Sequence, residues 1–301
     1  EFCPGIDKYF MPFITPTTQE KLTPRQKRDV LPEYNEGVPA VPQLLTRTAA
    51  DFIWAANTLA SLGYAEVNLN LGCPSGTVTA KGKGAGFLAH PDELDRFLDA
   101  VFSACTVPIS IKTRLGVHDP AEFEALLEIY SRYPVAELTI HPRVRQDFYK
   151  GRVREDAFAA ALPHCPMPVC YNGDLVSERG IRETIERYPS LSALMLGRGL
   201  LGDPSLVTRV RGGERAGSAR LQAFHDTLFA RYCDAFGDSR IAVLRMKELW
   251  FYFGNLFENS EKLQKSIKKA KNAEEFERAA AALFCSCEVR GNAVPAWFRP
   301  A

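Results

Sequence analysis

Short β-rich runs alternate with longer amphipathic stretches through the first two-thirds of the chain, and no other feature constrains the fold as strongly. The runs are Tyr9–Ile14, Val41–Leu45, Ala65–Asn70, Ile109–Thr113, Glu137–His141, Val169–Asn172 and Ala193–Leu196. Between them lie helical patterns at Ala50–Leu62, Pro91–Ala104, Ala121–Tyr133 and Glu178–Tyr188. Strands alternating with helices predict βαβ units around a parallel sheet. The runs read as lacking clean polar alternation, in keeping with a parallel sheet covered by helices. Seven runs are one short of a closed eight-stranded barrel, and the chain opens without Met, close to strand-like sequence. The expectation is therefore α/β: a (β/α)8 TIM barrel whose first strand precedes residue 1. A doubly wound sheet competes, but it carries its phosphate-binding glycines after the first strand, and here they come late.

Residues 209–218 are rich in Gly and charge and read as a linker. Beyond them the pattern turns helical, with candidates at Ala219–Phe236, Ser239–Phe257, Glu261–Lys271 and Ala273–Cys285. Leu221, Phe224, Leu228 and Tyr232 recur at helical spacing and define one buried face. This predicts a barrel over residues 1–210 and a small C-terminal all-helical domain over 219–301. Net charge is only +1 but uneven: residues 1–204 hold 21 basic and 25 acidic side chains, and residues 205–301 hold 16 and 11. A basic C-terminal region fits a polyanionic partner, and it fits a solvated helical surface as well.

No stretch approaches the roughly 20 apolar residues of a membrane helix. The eight cysteines include no CxxC pair, which excludes the usual zinc and thioredoxin-like spacings. They read as reduced thiols of a cytoplasmic protein. Gly82–Gly86 lacks the Gly-Lys-Ser/Thr of a Walker loop, and His90, His118, His164 and His225 show no metal-ligand spacing. No metal and no membrane are expected.

Reactive groups of a (β/α) barrel sit where strands give way to loops. Here Gln43, then Asn70 and Cys73, Lys112 and Arg114, His141 and Arg143, Asn172 and Gly173, and Gly197 and Arg198 mark six successive strand ends. One polar strand end is a cap; six in series are hard to explain by capping. Asn172-Gly173-Asp174 and Gly197-Arg198-Gly199 admit a phosphate site built on backbone N–H groups, or simple turns. Cys73, at the head of what reads as a long flexible loop, admits four roles: nucleophile, redox sensor, general acid or inert thiol.

In this order the segments resemble the tRNA-dihydrouridine synthase family. They are Val41-Pro42-Gln43-Leu44, Val67–Ser75 (VNLNLGCPS), Gly84–Leu88 (GAGFL), Ile111–Gly116 (IKTRLG), Leu138–Arg143 (LTIHPR), Asn172-Gly173-Asp174 and Met195–Gly199 (MLGRG). Leu244–Trp250 (LRMKELW) is similar, more loosely, to that family's helical-domain signature. The resemblance implies an FMN enzyme that takes hydride from NADPH and reduces uridine in tRNA. Carried over, Gln43, Asn70, Lys112 and His141 would contact the flavin, and Asn172, Gly173, Asp174, Gly197 and Arg198 its phosphate region. Cys73 would protonate C5 of the uracil while hydride arrives at C6, and Asn70 would also hold the target base. Thiols, with an ordinary pKa of roughly 8.5, are mostly protonated at neutral pH and suit that task. Arg143, Arg145 and Lys150 would meet RNA phosphates, or FMN; Arg145 and Lys150 equally suit a solvated loop. Arg245 and Lys247, with Lys265, Lys268, Lys269 and Lys271, would give folded tRNA an electrostatic footprint. Pro142 stands where many members carry glycine, and the family's first strand, with its Ala-Pro-Met segment, is not in this sequence. The competing readings are an FMN barrel acting on a small pyrimidine and a non-catalytic RNA-binding relative.

Overall fold

The computed structural model describes residues 2–291, 295 and 298, so the end of the 219–301 region lies partly outside the described residues. Among the described residues two compact units are present: Asp7–Gly173 with Ser190–Met195, and residues 2–6 with Asp174–Pro189 and residues 196–291.

The first unit runs β1 (Tyr9–Phe10), α1 (Pro24–Val30), β2 (Ala40–Val41), β3 (Gln43–Leu44), α2 (Ala49–Ser61), β4 (Val67–Leu71) and α3 (Gly76–Thr79). It continues with α4 (Pro91–Ala104), β5 (Ile109–Arg114), α5 (Glu122–Tyr130), β6 (Leu138–His141), α6 (Glu155–Ala161), β7 (Val169–Asn172) and β8 (Ala193–Met195). Every strand pairing is parallel and follows chain order: β1 with β2, then β3 through β8 in succession. This is the TIM-barrel class of architecture that the alternation predicts. The run Val41–Leu45 divides at Pro42, which has no N–H to give; its carbonyl accepts from Asn68 N at 2.9 Å, while Met11 N reaches back to the Val41 carbonyl.

The strands differ from the sequence reading in one respect, because they do alternate. Val67, Leu69 and Leu71 lie in register with Ile109, Ile111 and Thr113, and the same face carries Leu138, Ile140, Val169 and Tyr171. The opposite face carries Asn68 beside Ser110, then Asn70, Lys112, Thr139 and Cys170 in one register row, and Arg114 beside His141. Successive side chains point to opposite faces, so the apolar set packs under helices and a polar set is left on the other side. The helices supply the matching stripe: α4 has Pro91 at its start and Asp92 and Glu93 in its first turn, and buries Leu94, Phe97, Leu98 and Val101.

The second unit holds α7 (Glu178–Arg187), α8 (Arg198–Gly202), α9 (Leu206–Val210), α10 (Ser218–Phe236), α11 (Ser239–Phe253), α12 (Glu261–Lys269) and α13 (Ala273–Ser286). Ser177, Asp238 and Asn272 cap α7, α11 and α13 by accepting backbone N–H bonds. Gly237, left-handed at φ +63°, ends α10. An aromatic core gathers Phe229, Trp250, Phe253, Phe257, Phe276 and Phe284 with Leu221, while Phe224, Leu228 and Tyr232 pack against it. The expected linker is only partly one. Arg209 belongs to α9 and is buried, bound to Asp203 and Glu178 at 2.9 Å each.

Candidate active site

The polar face of the first unit is a connected network. Gln43 Nε2 donates to Asn68 Oδ1 at 2.8 Å, and Asn68 Nδ2 passes the chain on to Ser110 Oγ at 2.9 Å. Asn70 Nδ2 donates to Gln43 Oε1 at 2.6 Å. The remaining Asn70 oxygen accepts from the backbone N–H groups of Gly72 (3.1 Å) and Cys73 (2.9 Å). One side chain thus fixes both the inner amide row and the start of the thiol loop.

That loop is folded back on itself. Ala85 N donates to the Cys73 carbonyl at 3.0 Å, and Gly84–Ala89 form a 3-10 helix whose first five residues are buried. Gly84 has φ +56°, and a Cβ there would sit 2.8 Å from the Cys73 carbonyl oxygen. Only glycine permits that conformation and approach together. Arg114 braces the other side, donating from Nε to the Gly72 carbonyl (2.8 Å) and from Nη1 to the Val144 carbonyl (3.0 Å).

Lys112 Nζ donates to Asn172 Oδ1 at 2.7 Å, and Asn172 Nδ2 donates onward to the Met195 carbonyl. Burial pushes the Lys112 ammonium down to about 8, with the positive charge of Arg114 acting in the same sense. Further along the same register row, Thr139 Oγ1 is buried beside the Cys170 thiol. A cation held by one amide oxygen, beside amides with both donors and acceptors, suits an anionic, carbonyl-bearing heterocycle. His141 and Arg143 lie together at the end of β6, with Nη1 and Nε2 3.1 Å apart.

These residues fall within one unit as three contact groups, Gln43 with Asn70 and Cys73, Lys112 with Asn172, and His141 with Arg143, and Gly173 follows Asn172 directly. Arg145 is half-buried and Lys150 exposed in the loop after β6. Asp174, Gly197 and Arg198 belong to the second unit, where Arg198 Nη2 pairs with Asp174 Oδ1 at 3.1 Å. Gly199 there is a packing glycine, since a Cβ would fall 2.1 Å from the Leu175 carbonyl oxygen. Arg245 pairs with Glu248, and Lys247 donates to the Ala270 carbonyl at the end of α12. Two contributors are not among the sequence-based candidates, Asn68 and Tyr149, whose exposed ring lies over the Arg114 guanidinium at 5.4 Å; Arg114 is a strand-end candidate to which the sequence assigns no role. Asn68 and Arg114 carry a signal, their inner-face parity; Tyr149 carries none.

Among the described residues no group of three His, Cys, Asp or Glu is placed to hold a metal ion, and no helix is long and apolar enough to cross a membrane. None of the eight cysteines, all among the described residues, is joined in a disulfide.

Polar side chains converging at the carboxyl ends of parallel strands define a barrel of the kind that does its chemistry there. The chain belongs to the dihydrouridine synthase (Dus) family, whose family model matches residues 8–286. It is 33% identical over 181 residues to a probable tRNA-dihydrouridine synthase of Rhodobacter capsulatus, covering 59% of this chain and 55% of that one. It is 28% identical over 203 residues to tRNA-dihydrouridine synthase B of Pasteurella multocida, covering 67% and 60%. Against tRNA-dihydrouridine synthase B of Proteus vulgaris it is 29% identical over 170 residues, covering 56% and 52%. The matches span little more than half the length of these relatives.

Proposed function

We propose that this chain reduces uridine in tRNA to 5,6-dihydrouridine, with Cys73 as proton donor. The observation that carries the reading is the Asn70 junction, which ties the Cys73 loop to the amide row through three hydrogen bonds. FMN, reduced by NADPH, supplies the hydride when bound. Gln43, Asn70, Lys112, His141, Asn172 and Gly173 are the first unit's residues for it. Asp174, Gly197 and Arg198 are read, on family membership, as phosphate-side residues of the second unit. The donor set fits such a group: Lys112 offers positive charge, and the amides offer complementary edges to ring carbonyls and N–H groups.

Saturating the C5–C6 bond of uracil requires a proton on C5 beside the hydride on C6. Cys73 holds that proton at Sγ, at the end of a braced loop. The uracil must leave its stack to reach it. Arg145 and Lys150, on the loop after β6, and Arg245 are the phosphate contacts we assign. Arg143 and Lys247 spend at least part of their charge on the protein's own carbonyls, so their contribution to RNA is to hold the surfaces that meet it.

The test is NADPH-dependent dihydrouridine formation in tRNA that lacks it, with flavin content read in parallel. Cys73→Ala should keep its flavin and lose about 10²–10⁴ in turnover, the usual worth of a general acid. Full turnover in that variant would remove Cys73 from the reaction. Activity on a free pyrimidine but on no tRNA would place the chain with small-molecule reductases.

A further inference from the structure

We infer that Arg143 is a positioning residue that keeps the single ring proton of His141 on Nδ1, so that His141 is a neutral hydrogen-bond donor and not an acid. The sequence His141-Pro142-Arg143 ends β6 in a tight reversal, with Arg143 N donating to the His141 carbonyl at 2.7 Å. The reversal brings the guanidinium back over the ring, with Nη1 3.1 Å from His141 Nε2. A guanidinium carries five N–H donors and no acceptor. The contact is therefore a hydrogen bond only if Nε2 presents its lone pair, and a neutral imidazole then has its proton on Nδ1.

A second proton on Nε2 would set N–H against N–H and cation against cation. Arg143 is 1% exposed and His141 6%, so little water is present to screen them. Nor can the guanidinium swing away cheaply. Its Nε donates to the Lys150 carbonyl at 3.3 Å and its Nη2 to the Gly151 carbonyl, which clamps it from the far end of the loop. Histidine is the usual general acid of such sites. Here the neighbouring arginine removes that option, and proton delivery is left to Cys73. Only the identity of the acceptor that Nδ1–H meets, a ring carbonyl of flavin or uracil, rests on the proposed function; the proton position does not.

The experiment is long-range 1H–15N correlation on the full chain labelled with 15N-histidine, at neutral pH, with and without FMN. Five histidines give five patterns, and His141→Gln identifies the relevant one by its loss. The expected pattern for His141 is a protonated Nδ1 and a bare Nε2. A protonated Nε2, alone or with Nδ1, overturns the inference, and this wild-type measurement decides even if every variant fails to fold. In Arg143→Met the Nδ1–H signature should be lost in favour of Nε2–H, and Arg143→Lys, which still donates, should restore it. An unchanged Nδ1–H pattern in folded Arg143→Met would remove Arg143 from the explanation. Failure of the tRNA assay would leave these spectra untouched, so the two readings fail separately.

Discussion

The inner strand face of the first unit and the aromatic core of the second treat buried polar groups differently, although the first unit also holds an orphaned atom, Glu66 Oε1. In the barrel, Gln43, Asn68, Ser110 and Asn70 hand hydrogen bonds from one strand to the next, and the chain of contacts ends on the thiol loop. In the helical unit, His225 Nε2 and Trp250 Nε1 lie buried without partners among phenylalanines. A satisfied network fixes geometry, because each member has one arrangement that serves all its neighbours. An aromatic cluster fixes volume and is indifferent to the odd polar atom. The barrel therefore has the construction of a site, and the helical core that of a scaffold.

The largest effect expected from breaking this contrast is Phe253→Ala. Phe253 is fully buried and meets the rings of Phe224, Trp250, Phe257 and Phe284. Its truncation should cost about 3–5 kcal/mol of stability in denaturant titration. A loss below about 1 kcal/mol would show that the cluster is loosely packed and not a scaffold.

Lys112→Met should act on rate instead. Removing the cation should lower turnover about 10²-fold, the scale of one preorganised electrostatic contact. In the wild type the positive charge fades as pH rises through about 8, so an alkaline limb should appear there. Lys112→Arg should carry the limb to higher pH, and a limb that stays in place would assign it to another group. Asn68→Ala, with no acceptor for Gln43 and no donor for Ser110, should cost about 1–3 kcal/mol. A change confined to stability, with turnover per folded molecule intact, would separate the amide row from the site.

Legibility in the sequence followed the same divide. All seven β-runs and the long helices are found where periodicity places them, because apolar spacing records burial against a neighbour. Strand-end residues Gln43, Asn70, Lys112, His141 and Asn172 were readable because polar groups ending buried strands need a reason. The alternation of VNLNL and ISIKTR is masked by the expectation that parallel strands are apolar on both faces. That expectation hid Asn68 and the inner role of Arg114. The fold of the thiol loop was illegible too. Gly84 and Gly86 read as flexibility, yet they permit contacts with Cys73 and Thr79 that no local pattern encodes. Arg143 Nε and Nη2 and Lys247 Nζ donate to backbone carbonyls, which leave no mark in side-chain composition.

The smallest effect expected is the most direct test of scaffold against site. His225 is 1% exposed, stacks on Phe276 and meets Trp250 and Phe284 edge-on or nearly so. Burial holds its imidazole below the ordinary 6.5, against the opposing pull of Asp226 on Nδ1. The unfolded chain therefore takes up a proton at that ring before the folded one does. Stability is fully present above about 6.5, and falls as pH drops from there toward the depressed folded value. His225→Phe keeps the ring, removes the orphaned Nε2 and abolishes the titration. It should gain about 1 kcal/mol at neutral pH and more in mild acid, read by urea unfolding at pH 7 and pH 5. A variant less stable than wild type at both pH values would mean that Nε2 has a partner that only solution supplies, and the helical core would then be built more like the barrel than its aromatic packing indicates.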